Sequence, residues 1–116
     1  MERVWNVFLY QSPKGQTPLN DFILGLEIRA QAKVRNAINL LKLFGFSVGS
    51  LHTKKLTGSD LWELRILGSD NIRILYIAVD RKTFLLLHGF KKKSNHTPAK
   101  EITVAEKRLT EFRSRK

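Results

Sequence analysis

The sequence contains no cysteine, which excludes disulfide bonds and thiolate metal sites. This absence fits a reducing compartment, and we expect a cytoplasmic protein. Apolar residues never run for the roughly 18 positions that a membrane-spanning helix needs. No apolar segment follows the first charged residues, as it would in a secretory signal. A transmembrane protein is therefore not expected.

The motifs of several enzyme classes are also missing. The sequence has no nucleotide-binding loop, no zinc-ligand spacing and no nucleophile elbow. The histidines at positions 52, 88 and 96 are scattered and lack the helical spacing of metal ligands. We therefore expect neither a metal nor another cofactor.

Acidic residues are scarce compared with basic ones. The chain has 10 of the former and 21 of the latter, a net charge of +11. Residues 91–116 alone carry nine basic and three acidic side chains. A small domain this basic usually binds a polyanion or an acidic partner. The alternative is a surface whose charge serves only solubility.

The 116 residues, 42% of them hydrophobic, are enough for one domain with a core of its own. Hydrophobic periodicity and turn residues predict strands over residues 4–10, 53–56, 61–67, 72–79 and 83–90. Thr17-Pro18 and Thr97-Pro98 each predict a helix start, with Thr as the N-cap. The first helical region, which ends near Gly45, is either a helical hairpin or one bent helix. This order predicts a small α+β fold over residues 1–116, with one twisted, mostly antiparallel sheet, two N-terminal helices and a C-terminal helix.

Four polar residues lie where the strands are otherwise apolar. Glu63 and Arg65 share one strand face because they are two positions apart. Arg73 lies inside an apolar strand, where a charge needs a partner, and Asp60 or Glu63 could supply it. His88 is either a satisfied core histidine or a catalytic group.

The last predicted strand runs directly into the basic segment Lys91–Lys93. With Arg65 and Arg73, these lysines could neutralise several phosphates. Phe90 could stack on a base. Arg65 and Arg73 share a face only if an odd loop or a bulge shifts the strand pairing by one residue, and we predict such an irregularity between Leu67 and Ile72.

The chain also contains a series of short fragments in a fixed order. They are Lys54-Lys55-Leu56, Leu61-Trp62-Glu63-Leu64-Arg65, Ile72-Arg73-Ile74-Leu75-Tyr76, Leu87-His88-Gly89-Phe90-Lys91-Lys92-Lys93, Thr97-Pro98, Glu101-Ile102 and Ala105. Their order and spacing resemble the RelE/HigB-type toxins of type II toxin–antitoxin systems. The similarity is closest to the phage-derived HigB-like branch of the RelE/ParE superfamily.

The resemblance implies a metal-independent endoribonuclease that cuts mRNA in the ribosomal A site. The mRNA 2′-OH attacks the adjacent phosphate, which requires proton transfer and stabilisation of extra phosphate charge. The implied catalytic residues are Arg65, Arg73, Lys92 and Lys93, and Glu63 and His88 are further candidates. The implied contacts with mRNA or ribosomal RNA are Lys54 and Lys55, and Lys91, Phe90 and His96 are further candidates.

Two departures from the family pattern leave the general acid and base open. Glu63 stands where the family has a lysine, and no aromatic residue lies near Ile102, where the family has a tyrosine. The candidates are Glu63, His88, His96 and Lys93, of which we favour the lysine.

The resemblance also implies a partner, a HigA-type helix-turn-helix antitoxin, and a toxin–antitoxin heterotetramer. Two other functions remain open at this point. One is a ParE-like toxin that inhibits DNA gyrase, and the other is a phage accessory protein that binds nucleic acid without catalysis.

Overall fold

A computed structural model describes residues 4–49, 52–68, 71–93 and 96–115. The elements are β1 (Asn6–Leu9), α1 (Pro18–Leu24), α2 (Ile28–Phe44), a 3₁₀ turn (Gly45–Val48), β2 (Thr53–Lys55), β3 (Trp62–Arg65), β4 (Ile72–Asp80), β5 (Thr83–Lys91) and α3 (Ala99–Arg113). The predicted α+β fold is confirmed. The first helical region is two separate helices, because Gly25 ends α1 and α2 begins three residues later.

The five strands form one sheet in the order β1-β5-β4-β3-β2. β2 to β5 pair antiparallel, as predicted for the central strands, and β1 pairs parallel with β5. The side chains of α1 and α2 share one hydrophobic core with one face of the sheet. Those of α3 share a second core with the other face. The strands β4 and β5 are apolar on both faces because each face is covered by helix.

Helix α1 packs closely on β5 because position 89 has no side chain. A Cβ atom on Gly89 would lie 2.6 Å from Leu19 Cδ1 and 2.7 Å from Phe22 Cδ2. Both atoms belong to side chains on α1. The glycine therefore allows α1 to pack directly against β5 in the first hydrophobic core.

The pairing of β3 with β4 places Arg65 directly opposite Arg73. The backbone N–H of Ile66 donates to the carbonyl of Ile72, which leaves an odd number of residues, 67–71, in the connection. Gly68 and Asn71 take positive φ angles of 73° and 53° there. The predicted irregularity is therefore confirmed, and both arginines lie on the face covered by α3.

A β-bulge in β5 changes which face its later residues occupy. Leu75 pairs with His88, whereas the next residue of β4, Tyr76, pairs with Leu86, so Leu87 is the extra residue. A bulge shifts the alternation by one and re-aims the side chains beyond it. His88 and Phe90 consequently lie on the α3 face of the sheet.

The start of α3 differs from the prediction. The helix begins at Ala99 with Pro98 as the N-cap residue and without a side-chain capping bond. Thr97, predicted as the N-cap, donates its hydroxyl to Glu63 instead. Among the described residues, no helix combines the length and the apolar composition needed to cross a bilayer.

Candidate active site

Glu63 lies at the centre of the polar residues beneath α3. Its side chain is completely buried, with a relative exposure of 0%. The hydroxyl of Thr97 donates to one carboxylate oxygen. The other oxygen, Oε1, lies 3.6 Å from Arg73 Nε and 3.6 Å from Lys92 Nζ. The carboxylate thus holds two cations and the segment before α3 at one point.

The two cations approach Glu63 at ion-pair distance, beyond the reach of a hydrogen bond. In the described part of the chain, neither Glu63 Oε1 nor Arg73 Nε has a hydrogen-bond partner. Arg73 is anchored through Nη1, which donates to the carbonyl of Ile72 at 3.0 Å. Both atoms are buried and face each other, so the Glu63–Arg73 pair is held by charge attraction rather than by a hydrogen bond.

Arg65 adds a third positive charge on the same face. It is half-buried and is the direct cross-strand neighbour of Arg73. Burial lowers the pKa of Arg73, the nearby charge of Arg65 lowers it further, and Glu63 opposes both effects. We call Arg65, Arg73 and Lys92 the basic cluster. Two like charges held side by side repel each other, and a bound anion relieves that repulsion.

The three consecutive lysines after Phe90 have different environments. Lys91 is the last residue of β5 and is exposed. The side chain of Lys92 is only 9% exposed, and its backbone N–H donates to the carbonyl of Asn71 at 2.9 Å. Lys93 is exposed and directly follows it. The structure therefore brings Lys92 into the basic cluster and leaves Lys93 beside it at the surface.

A cavity of about 220 Å³ opens next to Glu63. Two partners of the carboxylate, Lys92 and Thr97, form part of its wall, together with Lys54 and His96. Lys55, the neighbour of Lys54, donates instead to the carbonyl of Ser59 at 2.7 Å. We call the cavity lined by Lys54, Lys92, His96 and Thr97 the site cavity. It places Lys54 and His96, two of the expected RNA contacts, beside Lys92 of the basic cluster.

His88 is engaged by α3 through both ring nitrogens. Its Nε2 lies 2.7 Å from Glu101 Oε1, and its Nδ1 lies 3.3 Å from Arg108 Nη1. A guanidinium can only donate, so Nδ1 is the acceptor and Nε2 carries the proton that faces the carboxylate. Arg108 also donates to the carbonyl of Leu87 at 2.8 Å. In this arrangement both ring nitrogens of His88 have partners on α3, so the residue joins β5 to α3, and its expected catalytic role stays a prediction.

Phe90 is not accessible to a base. The residue is 5% exposed, and its ring stacks on the ring of His88 with 5.6 Å between centroids and an interplanar angle of 21°. In this structure the ring is therefore not exposed for the base stacking expected from the sequence. The reason is the bulge at Leu87, which places both rings beneath α3.

Sequence reasoning missed three polar residues around the site, namely Thr97, Glu101 and Arg108. All three lie at or in α3 and bind strands that are distant in sequence. Arg108 carried a usable signal, because it stands between Ala105 and Leu109 on the apolar side of the helix. A cation next to such a face needs an acceptor nearby.

The chain matches one protein-family model over residues 21–110, a range that contains β2 to β5 and every residue of the basic cluster. That model is described as phage-derived protein Gp49-like (DUF891). No curated protein matches the chain significantly.

Proposed function

The chain belongs to the phage-derived Gp49-like family, and we propose that it is the toxin of a type II toxin–antitoxin system that cleaves mRNA on the ribosome. The observation that carries this proposal is the convergence of Arg65, Arg73 and Lys92 on one sheet face. Three cations delivered by two adjacent strands and the end of a third suit a phosphodiester in a strand of RNA.

The proposed reaction is transfer of the phosphate within the RNA. The 2′-oxygen loses its proton and forms a bond to the adjacent phosphorus, and the bond from phosphorus to the 5′-oxygen breaks. That leaving oxygen takes up a proton, so the products carry a 2′,3′-cyclic phosphate and a 5′-hydroxyl. Negative charge grows on the phosphate oxygens in the transition state, and guanidinium groups stabilise it most effectively where water is excluded. Arg73, half-buried beside Arg65, fits this role.

The proton transfers are assigned to groups at the rim of the basic cluster. Lys93 follows Lys92 at the surface, and His96 lines the site cavity. We propose Lys93 for one transfer and keep His96 as the alternative. Glu63 is buried and held by three partners, so we assign it the positioning of Arg73 and Lys92.

The test is a translation reaction reconstituted from purified components, with primer extension on a reporter message. The wild-type protein should produce cuts in register with codons, and the same message without ribosomes should stay intact. Arg73→Ala should lower the cleavage rate by roughly a hundredfold or more. Arg81→Ala is the matched control, because Arg81 is exposed in the turn at the other end of β4.

Two further measurements make the result decisive. Circular dichroism must show that Arg73→Ala is folded, and Arg73→Lys, which keeps the charge beside Glu63, serves as the second variant. Unchanged cleavage by both folded variants would contradict the proposal. Inhibition of gyrase supercoiling without mRNA cuts would favour a ParE-like toxin, and RNA binding without either effect would favour a non-catalytic accessory protein.

We extend the proposal to the partner. An antitoxin of the HigA type, with a helix-turn-helix domain, would neutralise the toxin by covering the basic cluster or by blocking entry to the ribosome. Co-expression should rescue growth, and light scattering on the purified complex should give the mass of a heterotetramer. Failure of the co-expressed antitoxin to bind would contradict this partner alone.

A further inference from the structure

A second and larger cavity, of about 590 Å³, opens at the edge of the sheet beside β2. Its wall contains two aromatic rings, Phe46 and Trp62, and three cations, Lys54, Lys55 and Arg65. None of the described residues that line it is acidic. We call this space the edge groove. Its chemistry, aromatic faces surrounded by positive charge, is that of a site for single-stranded nucleic acid.

The aromatic wall is rigid as well as accessible. Phe46 is 40% exposed although it packs on three other rings. Its centroid lies 4.9 Å from that of Trp62, and it meets Trp5 and Phe84 edge to face at 5.6 and 5.1 Å. An exposed ring held by three neighbouring rings, of which Phe84 is fully buried, loses little conformational freedom when a base stacks on it.

Two cations link the edge groove to the proposed active site. Lys54 lines both the edge groove and the site cavity. Arg65 lines the edge groove and is the cross-strand neighbour of Arg73. A single strand of RNA whose phosphates contact Lys54 and Arg65 would extend from the edge groove to the site cavity.

We propose that the edge groove binds an unpaired nucleotide of the message, next to the scissile phosphate. The base stacks on Phe46, while Lys54, Lys55 and Arg65 contact the flanking phosphates. This inference rests on the proposed function and adds a subsite to it. An added peptide strand is the less suitable occupant, because β2 has only three residues and two of them are lysines, which disfavour strand addition at a sheet edge.

The test is fluorescence anisotropy of the full chain with a short single-stranded oligoribonucleotide and with an abasic oligomer of the same length. Both probes carry the phosphates, and only the first carries bases. Wild-type protein should bind the first more tightly. Phe46→Leu, which keeps apolar volume but removes the aromatic face, should weaken binding of the first probe by about five- to a hundredfold. It should leave binding of the abasic probe unchanged.

The matched control is Phe8→Leu, because Phe8 is 59% exposed on β1, at the opposite edge of the sheet. A second variant, Lys54→Ala, should weaken binding of both probes alike. Equal affinity of the wild type for the two probes, or normal binding by folded Phe46→Leu, would overturn the subsite. The subsite would also be overturned if the binding of an acidic peptide depended on Phe46 while the binding of RNA did not. None of these outcomes bears on cleavage, which the Arg73 variants in the translation reaction test separately.

Discussion

The carboxylate of Glu63 is completely buried and contacts protein groups in place of water. Moving a carboxylate out of water costs several kcal/mol, and only close cations and donors compensate for it. Here the partners are Arg73 and Lys92 at 3.6 Å and the hydroxyl of Thr97. Since both cations meet the same oxygen, the position of one depends on the other through Glu63.

Replacing Glu63 by Gln should therefore affect stability and catalysis together. The amide keeps the shape but removes the charge that neutralises two half-buried or buried cations. We expect the free energy of unfolding, measured with urea, to fall by about 3 kcal/mol. The cleavage rate should fall as well, because Arg73 and Lys92 lose their common anchor. Glu106→Gln, a change at an exposed position of α3, should alter neither quantity.

A double-mutant cycle separates positioning from a general loss of stability. If Glu63 acts through Arg73, then Arg73→Ala should cost less unfolding free energy in the Glu63→Gln background than in the wild type. The expected coupling is between about 0.5 and 3 kcal/mol. Strictly additive effects would show that the two residues contribute independently and would refute the positioning role.

The sequence predicts the ion-pair partner of Arg73, which is close in the chain, but not the hydrogen-bond partners of His88, which come from a later helix. The sequence offered Asp60 and Glu63 as partners of Arg73, and the structure selects Glu63, which shares its sheet face. The bond partners of His88 come from α3, 13 and 20 residues further along the chain. No local pattern connects a strand histidine to a helix that begins after the intervening loop.

Individual strands follow from the sequence where polar and apolar residues alternate. In β3, Glu63 and Arg65 take one face and Leu64 the other, as predicted. In β5, the run Leu85-Leu86-Leu87 is apolar throughout, so it contains no signal for the bulge that changes the face of His88. The parallel pairing of β1 with β5 likewise has no local signal in the sequence, because it depends on how the first hydrophobic core packs against the sheet.

Both Thr-Pro signatures mark a helix start, but neither threonine caps its helix through its side chain. Pro18 is the first residue of α1 and Thr17 is its N-cap residue, as predicted, without a side-chain capping bond. The same signature before α3 predicted a cap by Thr97, but its hydroxyl binds the buried Glu63. A hydrogen bond to a buried charge outweighs one to an exposed helix end, which water can satisfy.

The C-terminal end of α3 is held to the segment after β1 through Glu111, which binds Tyr10, and Arg115, which donates to the carbonyl of Gln11. Glu111 accepts from Tyr10 Oη at 2.7 Å and from Arg115 Nε at 3.0 Å. The hydrogen bonds from Arg115, then that from Tyr10, lower the pKa of the Glu111 carboxyl. The contact between α3 and the segment after β1 should therefore weaken at acidic pH.

The sign of the pH effect follows from the lowered pKa. The unfolded chain binds the proton of Glu111 more tightly than the folded chain, so the stabilisation is present above the ordinary glutamate pKa and is lost as the pH falls through the folded one. The excess stability of the wild type over Glu111→Gln should thus shrink between about pH 7 and about pH 3 in urea unfolding. An equal difference at both pH values would show that the contact is not electrostatic.

At the scale of the whole molecule, the net charge of +11 favours binding of polyanions, among them the proposed RNA substrate. The logarithm of the binding constant for single-stranded RNA should fall linearly with the logarithm of the salt concentration, by about 0.7 for each phosphate contacted. Lys54→Ala should make this slope shallower by about 0.7 if the lysine contacts one phosphate. Arg81→Ala should leave the slope unchanged, and an equal change in both variants would mean that the contacts are diffuse.

The buried carboxylate at position 63 also gives the protein an internal counter-ion. Glu63 balances one of the two positive charges of Arg73 and Lys92 without any dissolved ion. A free phosphate or mononucleotide therefore gains less from these cations than it would without the carboxylate beside them. Under the proposed function, a long message held by the ribosome makes many contacts at once, so selectivity for translated RNA would follow from the weak attraction of the basic cluster for small anions.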